Sequence, residues 1–310
     1  MGDQDTIKVG LHGYIMPDYS PKWKQILAYA SGENTVRIVF DAYRVSDLGP
    51  YTITDDEYER TNQKTRFQQV KESAQVLSQD LSYRFGDLGD KAFLIEHEEY
   101  KLILLAGQSL RVKDISLSTK IPREYELLTF GRDGIDDRDL LDDTFESLEG
   151  EGLPAIGEHL LAYGHQGPME HERIFQYCTD GRFTAVEHNA KIAMPNAAWL
   201  IPQIHSALLP LRGARKSANI RLEKLIKTIK NPFIDNGSSF PVIANDDSDF
   251  PEHIGAAYTE FLRDQIRLDT NGDNITEDLM RLITNNQFRV HKGHLTFPQI
   301  MKYAYLIKTN

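Results

Sequence analysis

Apolar positions in the first 130 residues recur at two spacings. Val36, Ile38 and Phe40 alternate through Thr35 to Tyr43, which predicts the strongest strand of this region, and Ile7 to Leu11 predicts a shorter one ended by Gly13 and Pro17. Residues 21–30 read as a helix, with Ser20 as its cap, Pro21 at the first position and a stripe of Trp23, Ile26, Leu27 and Ala30 before Gly32. Phe67, Val70, Ala74, Leu77 and Leu81 step by three and four, so 55–83 reads as a long helix with one buried face. Two apolar runs flank the polar stretch Glu96 to Tyr100 and predict a hairpin over 91–106. Leu110 to Leu117 and Tyr125 to Phe130 extend that sheet.

Between Asp133 and Gly152 the pattern gives way to acid. Asp133, Asp136, Asp137, Asp139, Asp142, Asp143, Glu146, Glu149 and Glu151 share the stretch with a single base, Arg138. Beyond it helical spacing dominates, over 155–164, 168–178, 196–209, 217–230, 252–267, 276–285 and 297–307, cut by Pro195, Pro202, Pro210 and Pro232. The expected fold is therefore α+β. A mixed α/β domain (1–132) leads through an acidic linker (133–152) to a mainly α-helical C-terminal domain (153–310). No repeat of fixed period interrupts this order.

Composition narrows the classes. Of 310 residues 40% are hydrophobic and 26% charged, ordinary for a globular chain with a sizeable core. The net charge of −11 disfavours nucleic acid and anionic membrane on average, though not at a local basic patch. Cys178 has no second cysteine to pair with, and no apolar run of about 18 residues predicts a membrane span. The N-terminus has no apolar run either. Gly2 and Thr6 fit the loose myristoylation pattern, but no nearby base would hold an anionic leaflet. A cytoplasmic protein is expected. Without a Walker loop, a GxGxxG after a strand or a GxSxG elbow, no cofactor is expected.

The histidines do not make a metal site by spacing. His159, His165, His171, Cys178, His188 and His205 fall at irregular intervals, none of them a ligand pair, and His291 and His294 flank a turn-forming Gly293. Asp269 to Ile275 fails the register of a calcium loop, since position six is Asn274 and position twelve is Met280. It reads instead as a turn and a capped helix, with Asn274 bonding back to Glu277. No metal is expected.

Two constellations carry a functional reading. The first is Arg182 and His188, five residues between them. The spacing resembles the R-x4-6-H pair of the HEPN family, helical proteins that include metal-independent ribonucleases. That resemblance, over seven residues, implies His188 as the proton shuttle and Arg182 as the cation on phosphate. It departs from the active pattern in placing Phe183 where a polar residue usually stands.

The second constellation is geometric. Arg212, Arg215, Lys216, Arg221, Lys224, Lys227 and Lys230 lie within 23 residues with one acid, Glu223, so seven bases less one acid give +6 in a chain of −11. At roughly 100° per residue, Leu222, Leu225, Ile226 and Ile229 gather on one side and the bases spread over the other. Three readings compete: a solvated face, a phosphate-backbone binder, and a dock for an acidic protein. The expectation is a non-catalytic binding or assembly protein, nucleocapsid-like or scaffold, that docks RNA, DNA or another polyanion on this helix. It needs no membrane and is compatible with homo-oligomers. The alternative is the ribonuclease of Arg182 and His188, so the sequence leaves open whether the protein is an enzyme.

Overall fold

The structure is a computed structural model that describes residues 6–13, 36–43, 66–77, 79, 83–97, 100–118, 120–132, 135, 140–158, 160–161, 168–189, 218–245 and 256–293. In chain order these form β1 (Thr6–Gly13), β2 (Val36–Tyr43), α1 (Arg66–Leu77), β3 (Arg84–Asp87), β4 (Ala92–His97), β5 (Tyr100–Ile115) and β6 (Pro122–Phe130). Then come α2 (Leu141–Gly150), β7 (Ile156–Glu158), α3 (His171–Thr179), β8 (Ala185–Asn189), the helix α4 over 218–226, and β9 (Val242–Asn245). β10 (Tyr258–Leu262), a 3-10 turn (Arg263–Gln265), α5 (Gly272–Thr284) and β11 (Arg289–His291) complete the order.

All eleven strands belong to one mixed sheet in the order β11-β10-β1-β2-β5-β6-β7-β8-β9, with β4 also pairing β5 and β3 pairing β4. β1, β2 and β5 run parallel, as do β7, β8 and β9. Because β6 is antiparallel to both β5 and β7, the two parallel blocks point the same way. The sheet curls until β9 lies beside β1 and β10. Side chains close that seam. Asn245 Oδ1 accepts the Leu11 N–H at 2.8 Å, and the Thr259 hydroxyl bridges the N–H and C=O of Ala244 at 3.0 and 3.2 Å. The result is a barrel-like curl whose seam, among the described residues, is closed by side chains and not by a strand ladder.

Burial follows from the strand period. Ile7, Val9 and Leu11 share an inner face with Ile103, Leu105, Leu128, Ile156, Ala185 and Ile243, and α5 adds Ile275, Leu279, Leu282 and Ile283 to the same cluster. An outer layer joins Leu110, Val112 and Val186 to α2, α3 and α4. Within it Phe145, Tyr177 and Phe183 pack ring against ring with centroids 5.2 to 5.7 Å apart.

This corrects the expected fold class. The half after residue 153 is not a mainly α-helical domain, for among the described residues it supplies β7 to β11 to the same sheet as the first half. The physical reason is length and burial. IGE, AVEHN and VIAN are three to five residues long and buried almost throughout, so they lack the alternation that marks a half-exposed strand. The helix expected over 155–164 meets β7, and that over 252–267 meets β10 and the 3-10 turn.

The first half agrees more closely with its pattern, with β1, β2, the β4–β5 hairpin and β6 where alternation puts them and α1 inside 55–83, except that β5 runs unbroken from Tyr100 to Ile115 and joins two strands expected separately. Of the stretch expected as a linker, 141–150 is helix α2, which buries Leu141, Phe145 and Leu148. Helices expected over 21–30, 196–209 and 297–307 lie outside the described residues. No helix among the described residues is long and apolar enough to cross a membrane.

Candidate functional site

The inner face of the barrel changes character where the parallel strands end. Period two carries the face of Ile156 on to Glu158, that of Ala185 on to Glu187 and Asn189, and that of Ile243 on to Asn245. On β5 the face of Ile103 and Leu105 passes Gly107 and reaches Ser109. Glu158, Asn189 and Asn245 are the last residues of β7, β8 and β9. All five polar side chains are between 0% and 2% exposed. Backbone register brings β1 and β2 to the same rim, with Gly13, next to His12, paired to Asp41.

The cluster is held by directed hydrogen bonds. Ser109 Oγ donates to Glu158 Oε2 at 2.6 Å. Asn189 Nδ2 and Asn245 Nδ2 donate to the two oxygens of Glu187 at 3.2 and 3.1 Å. Asn219 of α4 donates from Nδ2 to the Asn189 carbonyl at 3.0 Å, so the helix braces the end of β8. Among these contacts Glu158 meets a hydroxyl and Glu187 a pair of amides. Burying a carboxylate costs several kcal/mol even after relaxation. Two acidic side chains on one barrel floor therefore stand only with partners, which both Glu158 and Glu187 have. The carboxyl ends of parallel strands are where α/β sheets and barrels place their ligands, because each strand delivers a side chain to a common rim.

The outer face of β8 carries a separate network. His188 Nδ1 lies 2.8 Å from Glu223 Oε1 of α4, and the same oxygen lies 2.9 Å from Lys292 Nζ. Burial lowers the His188 pKa from its ordinary value, outweighing the attraction of Glu223. Burial pushes the Glu223 carboxyl up, but hydrogen bonds and charge from Lys292 and His188 hold it below its ordinary value. A neutral imidazole beside an ionised carboxylate donates from Nδ1–H, and Lys292 supplies the countercharge.

The residues singled out by sequence divide. Arg212, Arg215 and Lys216 lie outside the described residues, as do His159, His165, His205 and His294. Lys224, Lys227 and Lys230 are exposed, and no carboxylate among the described residues pairs with them. Of the expected stripe, Leu222 and Ile226 are buried on the helix, Leu225 is half-buried, and Ile229 is buried just past the helix end. Arg221 turns inward, Nη2 donating to the Leu161 carbonyl at 3.2 Å. The helix expected over 217–230 ends at Ile226, so Lys227 and Lys230 stand past it, Lys230 bridged to Ser239.

Arg182 is half-buried in the turn ahead of β8, and His188 is buried on the strand itself. The helical setting that the HEPN resemblance implies does not surround them. His171 is exposed on α3, and burial pushes the Cys178 thiol far above its ordinary value. The capped helix after the Asp269 turn is α5, but its cap is Asn271, whose side chain accepts the Asn274 N–H, not Asn274 itself.

Sequence reasoning missed Ser109, Glu158, Glu187, Asn189 and Asn245. The available signal was a polar residue closing each of three short apolar runs, IGE, AVEHN and VIAN. Helical periodicity, weighed over longer windows, absorbed it.

No protein-family model matches the chain, and no curated protein does. Among solved structures, PsfC from Pseudomonas syringae PB-5123 is similar over 98% of each chain, at 12% identity and a TM-score of 0.49. The lesion-specific endonuclease PfuEndoQ from Pyrococcus furiosus is similar over 92% of this chain and 57% of its own, at 10% identity and a TM-score of 0.43. At that level neither neighbour's chemistry carries over to this chain.

Proposed function

We propose that the protein is an enzyme that holds a small polar substrate at the carboxyl ends of its parallel strands and moves protons there with Glu158 and Glu187. The observation that carries this is the convergence of Ser109, Glu158, Glu187, Asn189 and Asn245, all buried, on one rim from four strands. Two carboxylates in different hydrogen-bonding surroundings can divide the roles of acid and base, and the amides orient a hydroxyl- or carbonyl-bearing substrate. Hydrolysis is the simplest reaction that uses such a set. A cytoplasmic location goes with this reading, supported by the single cysteine.

The test is turnover of a panel of p-nitrophenyl esters, phosphates and glycosides by wild type, Glu158→Gln and Glu187→Gln. We expect one class to be hydrolysed and each variant to lose about 100-fold or more, the range of general acid–base groups. The melting temperature should be unchanged or raised, since functional charges are commonly held against stability. Variants that unfold without a change in specific activity of the folded fraction would make the cluster structural and end the proposal.

A second reading rests on a different surface. Lys224, Lys227 and Lys230 stand exposed beside the buried Leu222, Ile226 and Ile229, which supports a dock for RNA or another polyanion on this helix. A non-catalytic binding or assembly role remains proposed on that ground alone.

A further inference from the structure

Between α4 and the strands β9 and β11 lies a groove of about 280 Å³ on the outside of the barrel. Its apolar lining is Ile226, Phe240, Val242, Phe288 and Val290, its neutral polar lining Ser239 and Asn286, and its charged groups are Lys227, Lys292 and Glu223. Glu223 is already engaged, by Lys292 at 2.9 Å and by His188 at 2.8 Å. Lys227 is exposed and pairs with no carboxylate among the described residues. The groove thus presents one uncompensated cation, a second shared with Glu223, and an apolar floor.

We infer that this groove binds a small organic anion with a flat apolar body, its charge met by Lys227 and Lys292 and its body seated on the half-buried Phe288 and Val290. The volume is near the lower end of ligand pockets, about 300–1,000 Å³, so the occupant is a small molecule and not a segment of polymer. A bare anion would gain nothing from the walls, and a neutral ring nothing from the lysines. Both halves are needed because exposed cations alone bind weakly through water and screening. The site is independent of the proposed strand-end chemistry. β8 separates the two, with Glu187 and Asn189 on its inner face and His188 on its outer one.

Phenyl phosphate is the probe, with inorganic phosphate and benzyl alcohol as its two halves, titrated by calorimetry into the full chain. Phenyl phosphate should bind saturably and at least about tenfold more tightly than either half. Lys227→Gln should weaken it about tenfold with an unchanged melting temperature, because that side chain is exposed. Lys292→Gln should weaken it as well, and Glu187→Gln should leave it as it was. The inference is overturned by no saturable binding, by inorganic phosphate binding equally well, or by Lys227→Gln binding like wild type. Loss in Glu187→Gln with none in Lys227→Gln would place the probe on the strand-end rim and equally overturn it.

Discussion

His188 and Glu187 are adjacent in sequence and face opposite sides of β8, where they make different hydrogen bonds. Glu187 belongs to the inner rim, held by Asn189 and Asn245. His188 belongs to the seam with α4, where burial holds its pKa below 6.5. The unfolded chain therefore binds a proton to this imidazole more readily than the folded one does. Stability contributed by a neutral His188 is fully present above about pH 6.5 and is lost as pH falls from there through the lowered folded value. Denaturant titrations at pH 7.5 and pH 5.5 should show that loss in wild type. In His188→Gln, which keeps a donor toward Glu223 but cannot titrate, the difference across the same window should shrink. An equal pH dependence in the variant would assign the effect to other groups.

Among elements, α4 and β8 show what local pattern can and cannot decide. α4 is amphipathic by sequence; of the four residues the period picks out, Leu222 and Ile226 are buried on it, Ile229 is buried just past its end and Leu225 is half-buried, each fully buried one worth about 1.5–3 kcal/mol when removed from water. The outward lysines can then be altered without touching that packing. Lys224→Glu with Lys227→Glu should keep the fold, with a stability change of about 0.5 kcal/mol per site. If this face docks a polyanion, filter binding of single-stranded RNA should weaken across all sequences, and the slope of log K against log salt should flatten by about 0.7 for each phosphate no longer neutralised. Wild type that binds no RNA at low salt, or a double variant that binds as well, would remove the polyanion reading. β8 offers no such pattern. It is short and buried on both faces, and only its partners β7 and β9 make it a strand.

At the scale of the whole molecule, the two halves of the chain complete one sheet. β10 pairs with β1, β7 pairs with β6, and β9 closes on β1 through Asn245. The acidic stretch expected as a linker is anchored at both ends of its described part. Gln108 makes two hydrogen bonds to the Ile135 backbone, at 2.6 and 2.8 Å, and α2 is packed by Phe145 against Tyr177 and Phe183. Unfolding followed by far-ultraviolet and tyrosine near-ultraviolet dichroism should therefore give coincident transitions. A protease nick between Arg132 and Leu140 should leave the pieces associated on gel filtration. Two separate transitions, or pieces that part and stay folded, would show two independent domains.

The sequence by itself determined the elements whose signal is local. Val36, Ile38 and Phe40 alternate, Phe67, Val70 and Ala74 step by the helical period, and Leu222, Ile226 and Ile229 do the same, so β2, α1 and α4 were legible before any fold was known. Tertiary structure alone decided that IGE, AVEHN and VIAN are parallel strands, because a strand of three to five buried residues is specified by the neighbours that take its hydrogen bonds. The candidate site shares that dependence. Glu158, Glu187 and Asn245 are separated by 29 and 58 residues in the chain, and no spacing rule relates them. They meet because each stands at or within two residues of the carboxyl end of a short strand, and the curl of the sheet turns those ends toward one rim.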